Sequence, residues 1–147
     1  HSLMLLKNCF EHPPPAAIAT NTQCYCKSGG AFKLCCEPVL NGKQLAKTAE
    51  VLMRSRYTAF CLHNRNYLLQ TWHPSSRPKN LELEGQQQWL GLKIIATHAG
   101  TQNDTQGQVE FLARYKFNGR AYRLHENSDF LWQDDRWYYT QGTQFEQ

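Results

Sequence analysis

The stretch QVEFLARYKFNGRAYRLHENSDF, residues 108–130, decides the fold. Val109, Phe111, Ala113, Tyr115 and Phe117 recur at every second position, the spacing that puts side chains on one face of a β-strand. Asn118-Gly119 tolerates the positive φ of a tight hairpin turn. Beyond it Tyr122, Leu124, Glu126, Ser128 and Phe130 resume the alternation on a return strand. Downstream, Asp134-Asp135 marks a further turn, and Arg136 to Thr140 alternates Trp137 and Tyr139 against Tyr138. Upstream, from Trp89, the positions Leu90, Leu92, Ile94 and Ala96 are expected to share one strand face. These strands follow one another with no helical crossover, which excludes a doubly wound parallel sheet and predicts an antiparallel meander.

The helical signals all precede the sheet. Thr48 with Glu50 reads as a helix start, Thr48 being a side-chain acceptor for the first turn. Met53, Tyr57, Phe60 and Cys61 follow at i, i+4, i+7 and i+8, an amphipathic stripe. Asn64 to Asn66 breaks this helix, and Tyr67 to Trp72 offers one or two more turns. His73-Pro74 closes them, because the residue before proline is pushed out of the α region. Residues 75–88 are polar and read as a loop. The predicted class is therefore α+β, a sheet curled around N-terminal helices.

Composition bounds the function. Of 147 residues, 41% are hydrophobic and 19% charged, and the net charge is +4. That is the make-up of one ordinary domain with a small appendage. The mild basicity lacks the dense patch of a dedicated duplex-DNA binder. No apolar run approaches the length of a membrane span, so a cytoplasmic location is expected. Residues 1–20, with Pro13-Pro14-Pro15, read as an irregular extension. Residues 21–38 form a cysteine knuckle, and 39–147 the α+β domain.

Four of the six cysteines lie within thirteen residues: Cys24-Tyr25-Cys26, eight residues, then Cys35-Cys36. Two pairs flanking the flexible turn Ser28-Gly29-Gly30 can present four thiolates to one tetrahedral Zn²⁺. Disulfides fit poorly, since one intervening residue is too few for a relaxed bridge and a vicinal bridge is strained. A redox pair normally shows Cys-x-x-Cys before a helix. With four protein ligands the site has no open position and is structural. Lys27 and Lys33 offset its negative charge. Cys61, inside an apolar stripe, reads as an inert core thiol, and Cys9 receives no role.

Cys-x-Cys, eight residues, Cys-Cys resembles the SEC-C motif, the zinc knuckle of the SecA translocase tail. Tyr25 and Lys27 stand where that motif usually has Pro and Gly, while Ser28 is kept. Leu52-Met53-Arg54-Ser55-Arg56-Tyr57-Thr58-Ala59-Phe60, Tyr67-Leu68-Leu69-Gln70-Thr71-Trp72-His73-Pro74, Trp89-Leu90-Gly91-Leu92 and Trp137-Tyr138-Tyr139 are similar to the YchJ family of SEC-C proteins. The resemblance spans about residues 24–143. It implies a nuclear transport factor 2-like (cystatin-like) cone, in agreement with the helices-then-meander reading, and a zinc ion. The family has no settled activity.

Cone folds often enclose a pocket, and Tyr57, Trp72, His73, Arg114, Glu126 and Ser128 are the candidates to line one. Glu126 lies where an apolar residue is expected, so it needs a partner, water or a proton. Arg54 or Arg56 could supply the partner; they point some 200° apart on a helix, so at least one is expected to be partly buried. A structural ion pair is favoured over general acid–base chemistry by Glu126 or His73. The leading functional expectation is a non-enzymatic adaptor for secretion or translation machinery, presenting Tyr25, Lys27, Phe32 and Lys33 to a protein partner. A small-molecule binder or enzyme using the cone pocket is the first alternative. RNA or ribosome association through Lys27, Lys33, Lys43 and Lys47 beside Tyr25 and Phe32 is the second.

Overall fold

The computed structural model describes residues 19–83 and 85–145. Cys9 and most of the N-terminal extension lie outside them. The knuckle contains a single 3-10 turn, Phe32–Leu34, and leads into a short helix α1 (Glu37–Leu40). The main helix α2 (Ala49–Cys61) starts where the sequence places it: Thr48 Oγ1 accepts from Val51 N at 3.1 Å. Asn64 caps α3 (Arg65–Gln70) in the same way, through its bond from Tyr67 N. Four strands follow, β1 (Gln88–Ala99), β2 (Gln106–Phe117), β3 (Arg120–Gln133) and β4 (Arg136–Gln144). They pair in sequence order, each antiparallel to the next.

The hairpin turns match the sequence signals. Asn118 and Gly119 have φ of 51° and 80°, and Asp134 and Asp135 have 54° and 62°, the left-handed pairs that suit the twist of tight hairpins.

Strand β1 departs from simple alternation. Its register with β2 shifts between Trp89 and Gly91 and again between Ile94 and Ala96. The first bulge turns Trp89 to the face of Leu92, opposite Tyr115, and the second replaces Ala96 by Thr97 opposite Val109. The expected face Leu90, Leu92, Ile94, Ala96 is thus corrected at both ends. One extra residue flips every side chain after it.

The core lies between the concave side of the sheet and α2 and α3. Leu52, Met53, Tyr57, Tyr67 and Leu68 pack from the helices against Leu92, Val109, Phe111, Phe130 and Trp137. Cys24, Cys26, Phe32 and Cys36 belong to the same buried cluster. The start of α2 is pinned to the β1–β2 connection: Ala49 N donates to Gly100 O at 2.8 Å. Gly100 and Gly107 cross there so closely that a Cβ on Gly107 would overlap the Gly100 backbone and crowd Ala49. At the other end of the sheet β4 is tied to the segment after α3 by His73 N to Tyr139 O and Tyr139 N to Thr71 O, both 2.8 Å. No described helix is long and apolar enough to cross a membrane.

Candidate functional site

The four knuckle sulfurs, of Cys24, Cys26, Cys35 and Cys36, all lie within 4.8 Å of one another. Cys26 and Cys35 Sγ are 3.6 Å apart. A tetrahedral thiolate site with metal–sulfur bonds of about 2.3 Å has sulfur–sulfur edges of about 3.8 Å, so the cluster has the size and donor set to hold a metal ion. The local chain explains the convergence. Cys24 N bonds to Gly30 O at 2.8 Å and Lys27 N to Cys24 O at 3.2 Å, closing the turn, with Lys27 at φ 64° and Gly29 at φ 95°. Ser28 Oγ lies 3.1 Å from Cys35 Sγ and accepts from Gly30 N.

Helix α2 holds the knuckle from outside. Thr58 donates to Cys36 Sγ at 3.3 Å, and Arg54 donates through Nη1 to Cys26 O at 2.8 Å while its Nε pairs with Glu50. Such outer partners fix ligand orientation and offset thiolate charge. The sulfurs do not titrate alike. Hydrogen bonds from Cys24 and Cys36 hold the Cys26 thiol well below the ordinary range, and bonds to Cys24 and Cys26 push Cys36 up. Burial pushes Cys35 up to about 11.

A second feature opens between the adjacent face of α2 and the sheet. It is a cavity of about 280 Å³ whose walls include Met53, Tyr57, Phe60, Trp72, Trp89 and Phe111. Its polar groups are Arg56, Glu126, Ser128 and Tyr139. Tyr57, Phe60 and Tyr115 gather around Trp89 at ring separations of 5.2–5.9 Å. Arg56 is only 4% exposed. Its Nη1 donates to Leu68 O at 2.8 Å and Thr71 Oγ1 at 2.6 Å, and its guanidinium carbon lies over the rings of Tyr139 (4.4 Å) and Trp72 (5.2 Å). Burial lowers its pKa to about 10, which leaves it charged at neutral pH. Glu126 receives a single long bond, from Ser128 Oγ at 3.4 Å, and burial pushes its carboxyl up. The carboxyl packs over Gly142, where a Cβ would overlap it.

Residues 48–142 match the YchJ_M-like family, described as YchJ, middle NTF2-like domain. The chain belongs to the YchJ family. Among the family's relatives, a UPF0225 protein of Chromobacterium violaceum is 47% identical over 123 residues, covering 81% of this chain and 90% of its own. A UPF0225 protein of Bordetella parapertussis is 46% identical over 132 residues, covering 88% and 96%. The solution structure of RPA3114, a SEC-C motif containing protein from Rhodopseudomonas palustris, superposes with a TM-score of 0.74 at 29% identity, over 85% of this chain and all of that one. A crystal structure of a SEC-C motif containing protein from Psychrobacter arcticus gives 0.65 at 27%, over 95% and 83%.

In this YchJ-family chain the structure sorts the expected pocket residues into two groups. Tyr57, Trp72, Glu126 and Ser128 line the cavity. His73 does not: its ring bonds Ser75 Oγ at 2.8 Å and Gln133 Oε1 at 2.7 Å near the surface, because the turn into Pro74 carries it past the cavity wall. Arg114 does not either. It is the out-pointing neighbour of Ala113 on β2 and lies over Gly91 in a shallow basic groove with Lys27, Lys93 and Arg123. The expected ion pair is also corrected, since among the described residues no carboxylate lies within 4.0 Å of Arg56 and no cation within 4.0 Å of Glu126. Arg56 is satisfied by carbonyl, hydroxyl and ring faces instead.

The expected docking face changes as well. Lys27 is exposed, Lys33 and Tyr25 are half-buried, and Phe32 is 2% exposed. Phe32 meets the edge of Tyr25 at 5.4 Å and fills the knuckle's own interior, so it is removed from the partner surface. The residue that protrudes is its neighbour Leu34, 86% exposed. Lys43 and Lys47 are exposed, but of the two aromatics placed beside the lysines Phe32 is buried and Tyr25 half-buried. The role of Thr58 carries no signal of its own in the sequence, since Ser55, one turn earlier on the same helix, is an equally buried hydroxyl. Cys61 fits an inert thiol, burial pushing it up to about 12.

Proposed function

We propose that this YchJ-family chain is a binding protein for a small molecule, received in the cone cavity and supported by a structural Zn²⁺ in the knuckle. Zinc is supported by the donor set, four thiols within 4.8 Å of one another. The observation that carries the binding reading is the cavity itself, where the buried Arg56 guanidinium and the half-buried Glu126 carboxyl sit among aromatic walls without pairing with each other. Folding stability alone favours apolar filling at such positions, because unpaired buried charge is costly. Retained polar groups in an apolar cavity are the usual mark of a ligand site.

The test is a fragment screen followed by NMR mapping on the full zinc-loaded chain. Ala113 is buried on the cavity wall, and Ala113→Leu fills the space. Hits are expected to shift the signals of Tyr57, Trp89 and Ser128 in the parent and to lose affinity at least tenfold in the folded variant. Hits that map elsewhere, or survive the filling, dismiss the reading.

A second reading retains the adaptor role, favoured by the exposure of Leu34 on the knuckle. An apolar side chain held rigid at the tip of a metal site is a small contact for a protein partner. Leu34→Asp should abolish capture of any such partner while zinc content stays the same; capture unchanged by it removes the knuckle tip from consideration.

A further inference from the structure

The cavity's polar end is rich in donors and short of acceptors. Trp72 forms part of its wall, and the indole Nε1 is buried with no hydrogen-bond partner, alone in this among the described residues. An indole N–H can only donate, so nothing but an acceptor satisfies it. The Arg56 guanidinium lies over the same indole at 5.2 Å and has no carboxylate within 4.0 Å. Ser128 and Tyr139 add hydroxyls. The sole carboxyl, Glu126, already accepts from Ser128 Oγ and has no cation within 4.0 Å. The remaining walls are flat rings and aliphatic side chains.

Resting on the reading of the cavity as a binding site, we infer that its ligand is a small aromatic carboxylate, the ring lying among Tyr57, Trp89 and Phe111 and the carboxylate at the end of the cavity that Arg56 and Trp72 line. One anionic head supplies both missing elements, a counter-charge for the buried guanidinium and an acceptor for the indole N–H. A flat ring suits walls built from edge-on and tilted aromatics. A cationic head would face Arg56 and leave the indole unsatisfied. A neutral apolar ligand would leave both as they are.

Three probes of matched shape separate these cases: benzoate, benzyl alcohol and benzylamine, titrated into the full zinc-loaded chain and followed by ¹H–¹⁵N NMR. The Trp72 indole signal is assigned by its disappearance in Trp72→Phe, which keeps an aromatic wall and removes only the donor. Benzoate is expected to shift that signal downfield to saturation and to bind at least tenfold more tightly than benzyl alcohol. In Trp72→Phe its affinity should fall by about fivefold, the equivalent of one hydrogen bond, with benzyl alcohol unaffected. Should Arg56→Lys remain folded, benzoate binding weakens there as well; if it unfolds, the Trp72→Phe comparison decides alone. Equal affinity for benzoate and benzyl alcohol overturns the carboxylate assignment and leaves the binding site standing. Tightest binding by benzylamine overturns it in favour of recognition through Glu126. If none of the three binds, the cavity reading falls with it.

Discussion

The hydroxyl of Thr58, in the middle of helix α2, donates to Cys36 Sγ at 3.3 Å and lies 4.0 Å from Cys24 Sγ. One side chain of the main domain thus touches a sulfur from each half of the knuckle. Thr58 has no solvent exposure, so its hydroxyl has nowhere else to go. Thr58→Val keeps the shape and removes the bond. Zinc affinity should fall about tenfold, the lower end of the effect of losing an outer-shell partner. Competition with a chromophoric chelator measures it, and unchanged affinity would show that Thr58 only packs.

Metal removal should be local. The knuckle has little interior of its own apart from Phe32, whereas the sheet and α2–α3 share a core that needs no sulfur. With a strong chelator under reducing conditions, amide signals of residues 24–36 should collapse and those of Arg54 and Thr58 should shift. Signals of β2 and β3 should stay in place. Global unfolding would mean that the ion holds up the whole chain, as in small zinc-dependent domains.

The pH dependence of stability should carry the mark of Glu126. Its carboxyl is raised from the ordinary 4.5 by burial, ahead of the opposing bond from Ser128. The folded state therefore holds this proton more tightly than the unfolded chain. Its contribution is most favourable below the ordinary glutamate value and is lost as pH rises above that value through the raised one. Urea unfolding of the zinc-loaded protein between pH 5 and 8 should show Glu126→Gln gaining on the parent as pH increases. Parallel curves for the two proteins would assign the carboxyl a compensating partner.

Gly107→Ala tests the crossing that anchors α2. The added methyl would strike the Gly100 backbone rather than a movable side chain, so relief requires separating β2 from the β1–β2 connection. A loss of about 2 kcal/mol or more is expected, at the upper part of the range for overpacking. Thermal or urea denaturation measures it. A loss below about 0.5 kcal/mol, the size of an ordinary surface substitution, would show that the contact relaxes easily.

Much of this architecture was legible because its signals are local. Asn118-Gly119, Asp134-Asp135 and Thr48 act within a few residues of themselves, and the strand period needs only its own neighbours. The four sulfurs were legible for the same reason, being twelve positions apart at most. What escaped depends on which distant element a side chain meets. Leu90 and Ala96 were misplaced because a bulge leaves no mark in the alternation that it interrupts. Arg114 was assigned inward although its neighbour Ala113 had already been given that face. Phe32 looked available as an exposed aromatic, since nothing in a thirteen-residue loop announces that it closes over its own phenyl ring. Arg56 was expected to find an acid, but backbone carbonyls and ring faces are invisible in a list of charges.

Helix α2 presents Thr58 to a knuckle sulfur, Arg54 to the Cys26 carbonyl, and Met53, Arg56, Tyr57 and Phe60 to the cavity. The two sets lie on neighbouring stripes of one thirteen-residue helix. If both the knuckle and the cavity are filled, any coupling between them through this helix would run with equal strength in both directions. A displacement of this one helix would be felt at both, while the sheet wall of the cavity keeps its place.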